Sequence, residues 1–257
     1  MSTKTIVLAH GLFGFGELIP GFSLPDYFNG IEDHLQSKGH TVIAKNVAAT
    51  GSIQERGDEL AGILRDIGPG PKHIIAHSMG GLDARHAITN RADIVQNVKT
   101  LVTIGTPHRG SEVADAVVDS AGPLVKVIPS SILAMLRAKV GAFRDLTTRS
   151  CIAFDDSTHD APGVRYMEVA GDASKAGSEL VLFNLAAKIG KITSQINDGV
   201  VTRNSALRRV QSHEHLEDWP VDHLGEIGWS KGLLLHKHEV LRKHFARYDA
   251  IVEMLKE

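Results

Sequence analysis

The sequence predicts an α/β fold, in which a mostly parallel sheet carries helices on both faces. Short apolar runs rich in β-branched residues alternate with segments whose apolar residues recur every three or four positions, as in strands joined by crossover helices. The chain has 257 residues, and 42% of them are hydrophobic, enough to bury one sizeable core. We therefore expect a single domain over residues 1–257.

Five apolar runs predict the strands, at residues 5–9, 41–45, 73–76, 99–103 and 164–170. Glycine or polar turns follow these runs, as expected where strands end. Helices are predicted between them at 31–39 and 52–67, the second opening on Ser52 with Glu55 three residues later, which is a capping-box pattern. A last helix is predicted at 237–256, because one apolar stripe follows the helical period there.

The segment from about residue 113 to 150 departs from this alternation. It is rich in Val, Ala, Leu and Ile, most densely up to residue 140, and the turns "AGPL" and "IPSS" interrupt it. We interpret it as a helical cap inserted into the domain. Its apolar residues fit either ordinary packing or a lid over an acyl chain, and the sequence leaves both interpretations open.

The stretch "HIIAHSMGGLDARHAI", residues 73–88, places a serine between a predicted strand and a predicted helix. A nucleophile on such a sharp turn needs small residues two positions before and after it, and Ala76 and Gly80 meet that requirement. The helix N-terminus beneath Ser78 would favour developing negative charge. We predict that Ser78 is a nucleophile. A plain helix N-cap is the alternative, and two early glycines argue against it.

A second glycine-rich stretch, "VLAHGLFGFG", follows the first predicted strand at residues 7–16. The amide after "His-Gly" is a usual oxyanion donor in serine hydrolases, so we expect the Leu12 and Met79 N–H groups to form an oxyanion hole. The apolar residues Phe13, Phe15 and Leu18 are candidate substrate contacts. His10 is expected to organise the loop rather than to act as a base.

The same stretch admits a dinucleotide-binding interpretation, with Gly11, Gly14 and Gly16 as the phosphate turn. Such a turn requires a helix immediately afterwards, yet Pro20 and Pro25 interrupt the segment. The second predicted strand also ends without an acidic partner for the ribose. A nucleotide cofactor is therefore disfavoured.

A serine nucleophile of this type needs an acid and then a histidine base further along the chain. Asp172 follows a predicted strand in "VAGDAS", and Asp198 lies in "INDGVV", which also reads as a simple Asn-Asp-Gly turn. The chain contains 14 histidines. The residues alone therefore leave both the acid and the base open.

Five motifs in order, "HGLFG", "AHSMGG", "TIGTPHRGSEVAD", "INDGVV" and "DHLGEIG", resemble the bacterial triacylglycerol lipases of the α/β-hydrolase superfamily, including the Pseudomonas and Burkholderia group. The resemblance runs from residue 7 to about residue 228. Carried onto matching positions, it implies Ser78 as nucleophile, Asp198 as acid and His223 as base, with Asp172 as the rival acid. It also implies an α/β-hydrolase fold.

The chain departs from that family at its metal and disulfide positions. The secreted relatives hold calcium through an aspartate and a glutamine, where this chain has Gly225 and Trp229, so we predict no such calcium site. The single cysteine, Cys151, excludes the family's internal disulfide. The His213/His215 and His236/His238 pairs lack a third ligand at a recognisable spacing, so we predict no metal.

The resemblance implies a serine hydrolase that cleaves medium-chain or long-chain acyl esters through an acyl-enzyme, as a lipase or carboxylesterase without a cofactor. The alternatives are an acyl thioesterase or acyltransferase with the same triad and, less favoured, a non-catalytic protein that binds a ligand in a hydrolase fold. The expected partner is an acyl ester or a lipid.

Composition restricts the other partners. A net charge of −2 and a pI near 6.7 provide no basic field for nucleic acid. The first residues lack a secretory signal pattern, and no apolar run is long enough to cross a membrane, so we expect a cytoplasmic protein whose cap contacts lipid only transiently. The sequence does not indicate an oligomeric state.

Overall fold

The computed structural model describes residues 2–12, 17–19, 22–23, 26–89, 91–119, 123–126, 128, 130–137, 140–175, 183–234 and 236–256. Its strands are β1 (Thr5–Ala9), β2 (Glu17–Ile19), β3 (Phe22–Ser23), β4 (Thr41–Ile43), β5 (Lys72–His77), β6 (Val98–Ile104), β7 (Arg165–Val169) and β8 (Glu214–His215). Its helices are α1 (Ile31–Ser37), α2 (Ile53–Asp66), α3 (Met79–Ile88), α4 (Ala92–Val95), α5 (Glu112–Val118), α6 (Ser130–Arg137), α7 (Val140–Phe143), α8 (Thr148–Ser157), α9 (Phe183–Thr193), α10 (Arg203–Ala206) and α11 (Lys237–Met254).

Short 3₁₀ helices lie at Pro123–Lys126, Arg144–Leu146, Ala173–Lys175, Gly225–Ile227 and Lys231–Leu234.

A six-stranded sheet in the order β4-β1-β5-β6-β7-β8 forms the centre of the molecule. Its neighbouring strands are all parallel. Ala76 of β5 pairs with Ala9 of β1 and with Thr103 of β6, so these strands end side by side at one edge. The predicted α/β fold is confirmed, and each of the five predicted runs forms a strand whose ends shift by at most two residues.

Two strand features were not predicted. One is the antiparallel hairpin of β2 and β3, and the other is β8, whose two residues pair with β7 at Met167 and Glu168. Strands of two or three residues are too short to display an alternating pattern, so local sequence gives little signal for them.

The two faces of the sheet bury different helices, because successive residues of a strand point to opposite faces. Ile75 belongs to the core that contains Leu35 of α1 and Tyr248 of α11. Its neighbour Ile74 belongs to the core that contains Leu60 of α2 and Ala84 of α3. The helices are thus divided between the faces, as the parallel topology requires.

Helix α2 begins with the predicted capping box. The Ser52 hydroxyl accepts from the Glu55 N–H, and the Ser52 N–H donates to Glu55 Oε2 at 2.8 Å. Both bonds satisfy amide groups that the first helical turn leaves without partners. This start places Arg56 in the first turn of α2, facing the protein interior.

The segment at 113–150 is largely helical where the structure describes it, and α8 carries the helical region on to Ser157. Its buried apolar residues form one cluster with Leu12 and Met79. This segment is therefore continuous with the apolar surroundings of the turn at Ser78. Within the described parts of the chain, no helix combines the length and hydropathy needed to span a membrane.

Candidate active site

Ser78 occupies the turn between β5 and α3, where the sequence predicts a strained nucleophile. Its φ of 56° lies in a region that residues other than glycine rarely adopt. The surrounding structure holds this conformation, because the Ser78 N–H donates to Ile104 O at 2.9 Å and the Ser78 carbonyl accepts from the Thr106 hydroxyl at 2.9 Å. Such strain is characteristic of sites where a side chain must be presented in a fixed direction.

The small residues near Ser78 are required by close backbone approach. A Cβ atom on Gly80 would lie 2.5 Å from Ala9 O and 2.7 Å from His10 O. One on Gly81 would overlap the Thr106 side chain. The helix after the turn can therefore pass the end of β1 and the residues after β6 only with glycine at these positions.

Ser78 is one end of a chain of side-chain contacts that contains both other predicted triad members. Its Oγ lies 2.9 Å from His223 Nε2, and His223 Nδ1 lies 2.8 Å from Asp198 Oδ2. All three residues are buried. The structure thus brings together the three residues that the resemblance implies, although 145 positions separate Ser78 from His223 in sequence.

The Asp198 carboxylate is itself fixed by its turn. Its Oδ1 accepts from the Val200 N–H at 2.8 Å and the Val201 N–H at 2.7 Å, which leaves Oδ2 for His223. The His223 N–H also donates to the Asp198 carbonyl at 2.9 Å. The Asn-Asp-Gly sequence therefore forms a turn and also presents a carboxylate to the imidazole.

Asp172, the rival acid, has other partners. Its Oδ1 accepts from the Ser174 N–H at 3.0 Å, and its Oδ2 lies 3.4 Å from the Lys175 ammonium. Across the described residues, no contact joins Asp172 to His223. This carboxylate shapes the loop after β7 rather than orienting the imidazole.

A second carboxylate, which sequence reasoning missed, reaches the same imidazole. Glu226 Oε2 lies 3.3 Å from His223 Nδ1 and 3.0 Å from His77 Nε2, and the side chain is completely buried. The Glu226 carboxylate fits only because Gly105 and Gly171 lack side chains, since a Cβ atom on either would overlap it. Its position three residues after His223, one helical turn away, was the available sequence signal.

The protonation of His223 and that of Glu226 depend on each other. Burial opposes a charge on His223, yet Asp198 and then Glu226 outweigh it and raise the pKa of the imidazole. Burial, with the charge of Asp198, raises the pKa of Glu226. A proton on Glu226 removes one of the two negative charges facing His223. With Glu226 protonated, His223 therefore releases its own proton more readily and can serve as a base.

The contacts continue from Glu226 to the loop after β1. His77 Nδ1 lies 2.7 Å from the Tyr27 hydroxyl, which accepts from the Gly11 N–H at 2.9 Å. Burial lowers the pKa of His77 well below its ordinary value, so the ring is neutral, with one donor and one acceptor nitrogen. Sequence gave no indication of this link, because Tyr27 and His77 are far apart along the chain.

The predicted oxyanion donors belong to the residue after Ser78 and to the residue after Gly11, which packs on Ser78. Met79 follows it directly, and Leu12 follows Gly11, whose Cα packs so closely on Ser78 that an added Cβ would lie 2.7 Å from Ser78 Cβ. Within the described part of the chain, neither amide has a protein acceptor. Their N–H groups can therefore bind a ligand oxygen.

Three predicted substrate contacts cannot be compared with the structure. Phe13 and Phe15 lie outside the described residues, and Leu18 belongs to β2, of which only the backbone is described. They stay predictions.

The loop after β1 does not have the form of a dinucleotide turn. The next described elements are the β2–β3 hairpin, and α1 begins only at Ile31. A phosphate turn needs a helix directly after the strand, so that its N-terminal amides face the pyrophosphate. His10 organises this loop, since its Nδ1 donates to Gly11 O at 2.8 Å while its Nε2 accepts from the Val47 N–H at 3.0 Å.

One set of side chains in the described residues could hold a metal ion. Its members are His77, His223 and Glu226, whose ligand atoms lie within 4.8 Å of one another. A metal there would compete with Asp198 for His223 Nδ1 and would remove the imidazole from service as a base. In the His213/His215 pair, considered above as possible metal ligands, His213 contacts the carboxylates of Glu168 and Asp160 at 2.7 Å and 2.8 Å.

The arrangement at the carboxyl edge of the sheet can perform nucleophilic acyl chemistry. A serine hydroxyl faces one imidazole nitrogen, a carboxylate faces the other nitrogen, and two amides lie near the serine. These are the parts needed to activate the hydroxyl and to stabilise a tetrahedral oxyanion.

Comparison with known proteins finds a matching family model and relatives that are triacylglycerol lipases. Residues 68–122 match the PGAP1-like alpha/beta domain family. Triacylglycerol lipase 2 of Saccharomyces cerevisiae is 34% identical over 81% of this chain and 64% of its own length. A triacylglycerol lipase of Vibrio cholerae is 29% identical over 89% of this chain and 80% of its own length. The chain thus spans slightly less than two thirds of the yeast relative.

Two solved structures share the architecture. The mature Bacillus licheniformis lipase BlEst2 superposes with a TM-score of 0.68 and 24% identity, over 94% of this chain and 92% of that one. The metagenomic carboxyl esterase MGS0156 superposes with a TM-score of 0.70 and 17% identity, over 95% and 75%. Together with the parallel sheet, these likenesses show that the chain has the α/β fold of these two enzymes, and the sequence relatives are themselves triacylglycerol lipases.

Proposed function

We propose that this protein hydrolyses carboxylic esters by a serine mechanism, with Ser78 as nucleophile, His223 as base and Asp198 as the acid that orients it. The observation that carries the proposal is the pair of contacts at 2.9 Å and 2.8 Å that joins Ser78 Oγ, His223 and Asp198 at the end of the sheet. The triacylglycerol lipase relatives support the same chemistry.

The reaction proceeds through an acyl-enzyme. Ser78 Oγ attacks the ester carbonyl while His223 Nε2 takes its proton, and the Leu12 and Met79 amides hold the oxyanion. The ester C–O bond then breaks as His223 returns the proton to the leaving alcohol. Water attacks the acyl-enzyme with His223 again as base, and the acid leaves as Ser78 regains its proton.

The substrates are medium-chain or long-chain acyl esters. Leu12 and Met79 belong to one apolar cluster with the residues of the segment at 113–150, including Val113, Val117 and Leu133. An acyl chain that extends from a carbonyl bound at the oxyanion position would contact this apolar cluster. The segment then acts as the cap of a single domain, and transient contact with a lipid surface through it would bring the substrate in.

Hydrolysis of p-nitrophenyl esters of increasing acyl length tests this function, with Ser78→Ala beside the parent. The parent should show activity that the alanine variant loses by roughly four orders of magnitude or more. A fluorophosphonate probe should increase the mass of the parent by one phosphonyl group and leave the mass of Ser78→Ala unchanged. Equal inertness of both proteins, with no labelling, would contradict ester hydrolysis. A competing alcohol or amine in the assay detects acyl transfer instead of hydrolysis.

A further inference from the structure

Arg56 is a completely buried arginine, and each of its three guanidinium nitrogens donates a hydrogen bond to the protein. Its Nε donates to Asp83 Oδ2 at 2.8 Å and its Nη1 donates to Ala48 O at 2.6 Å. Its Nη2 donates to two successive carbonyls of the loop, His10 O at 2.8 Å and Gly11 O at 3.2 Å. No step of the proposed reaction uses this side chain.

The ion pair connects the loop to the helix that follows the serine. Asp83 lies in α3, which begins directly after Ser78, and both members of the pair are inaccessible to solvent. Burying a charged pair is expensive unless the geometry is good and further hydrogen bonds satisfy the groups, and Arg56 meets this condition through the loop carbonyls. One guanidinium therefore holds α3 and the loop in a fixed relation.

Hydrogen bonds that hold the loop carbonyls also fix the orientation of the loop amides, because both groups belong to the same planar peptides. The described chain contains no cis peptide bonds, so the Leu12 N–H points opposite to the Gly11 carbonyl of the same peptide plane. Arg56 and the His10 ring both donate to Gly11 O, which keeps that oxygen away from Ser78. The Leu12 N–H is consequently turned toward the other side of the loop, where Gly11 packs on Ser78.

We propose that Arg56, anchored by Asp83, is a positioning residue that holds the Leu12 amide in the orientation needed to donate to the oxyanion. The proposal rests on the proposed hydrolytic function. Preorganised donors stabilise the transition state because they need no reorientation during the reaction. Lysine cannot replace Arg56, because it lacks the planar fork that bonds the carboxylate and the loop at the same time.

The test compares Arg56→Lys and the milder Asp83→Asn with the parent by their kcat and KM values. The concentration of active sites, which is needed for kcat, is counted by fluorophosphonate titration. Loss of one oxyanion donor lowers kcat by about 10²–10³-fold. We expect a fall of roughly 10–10³-fold for Arg56→Lys and a smaller fall for Asp83→Asn, with KM little changed. An alkyl boronic acid, whose tetrahedral adduct places an oxygen in the oxyanion position, should lose affinity by a similar factor.

Arg85→Lys is the matched control. Arg85 is also buried in α3, is paired with Asp155 at 2.8 Å and donates to Thr158 O at 2.6 Å, with no contact to the loop among the described residues. This variant should lose stability while keeping the parent kcat per titrated site. An Arg56→Lys enzyme that also keeps the parent kcat and boronate affinity would overturn the proposal.

A crystal structure of Arg56→Lys provides a readout that does not depend on turnover. We expect the peptide between Gly11 and Leu12 to be rotated or to adopt more than one orientation. An unchanged peptide would overturn the positioning role even if activity fell. Failure of the proposed function appears differently, since the parent itself would then lack hydrolysis that depends on Ser78.

Discussion

Glu226 Oε2 lies 3.3 Å from His223 Nδ1, the same nitrogen that Asp198 contacts at 2.8 Å. The imidazole therefore faces two buried carboxylates rather than one. Both are acceptors for an Nδ1–H group, and both stabilise its positive charge when they are ionised. The site thus contains a second group able to hold the histidine tautomer that a base toward Ser78 requires.

Asp198→Asn should lower kcat less than the same change does where the acid is alone. Loss of the acid of a single-acid triad costs about 10⁴-fold in kcat. Because Glu226 remains beside Nδ1, we expect a fall of roughly 10–10²-fold for Asp198→Asn and a smaller one for Glu226→Gln, while the double variant approaches the full loss. Steady-state rates of the three variants measure this. If Asp198→Asn alone is as inactive as the double variant, Glu226 does not substitute for the acid.

Gly80→Ala should damage the turn at Ser78, since the new Cβ would lie 2.5 Å from Ala9 O. We expect unfolding at lower urea concentration and fewer sites that react with a fluorophosphonate. Gly62→Ala in α2 is the control, because nothing lies within 4 Å of its Cβ position. That change should stabilise the protein by roughly 0.5–1 kcal/mol, the helix-propensity difference. Equal effects of the two alanines would refute the steric argument.

Tyr27→Phe removes the hydroxyl that accepts from Gly11 and contacts His77. Leaving a buried donor unsatisfied costs about 1–3 kcal/mol of stability, and here it also loosens the loop that presents the Leu12 amide. We therefore expect lower values of both the free energy of unfolding and kcat.

Tyr166→Phe is the control for that change, because its buried hydroxyl accepts from the Ala161 N–H at 2.8 Å, on another part of the sheet. It should lose comparable stability with kcat unchanged. Parallel losses of kcat in both variants would show that the effect of Tyr27 is general destabilisation. Urea unfolding and steady-state rates of the two proteins decide between these outcomes.

His244 should contribute to loss of stability in acid. Burial lowers the pKa of His244 from 6.5 to about 4, and its Nε2 donates to Phe28 O at 3.0 Å. Between these pH values the unfolded chain binds this proton and the folded chain does not. The contribution is therefore fully present above pH 6.5 and is lost as the pH falls toward 4, with a slope of about 1.4 kcal/mol per pH unit.

Urea unfolding of His244→Gln between pH 5 and 7 measures this contribution. Glutamine can keep a hydrogen bond to Phe28 O but does not titrate. The number of protons taken up on unfolding should therefore fall by about one, and the free energy of unfolding should depend less steeply on pH. His238→Gln, at an exposed position of α11, is the control and should leave the slope unchanged. If His244→Gln keeps the parent's slope of the free energy of unfolding against pH, His244 is not the source of that slope.

Local pattern determined the main strands of the sheet and the sharp turn that presents Ser78. Three signals act over a few positions of the chain: the short apolar runs, the capping box at Ser52 and the small residues around Ser78. The motifs shared with the triacylglycerol lipases added Asp198 and His223. Without them, the 14 histidines would have left the base undetermined.

Only the tertiary structure revealed the groups that surround Ser78, His223 and Asp198. His77 contacts Glu226 across 149 positions, and Arg56 reaches His10 across 46. Neither pair leaves a periodic signal, because such contacts arise where the ends of parallel strands, one helix turn and a loop converge at the same sheet edge. Sequence determined which residues could do chemistry, whereas the packing of distant segments decided which carboxylates face the imidazole and which way the loop amides point.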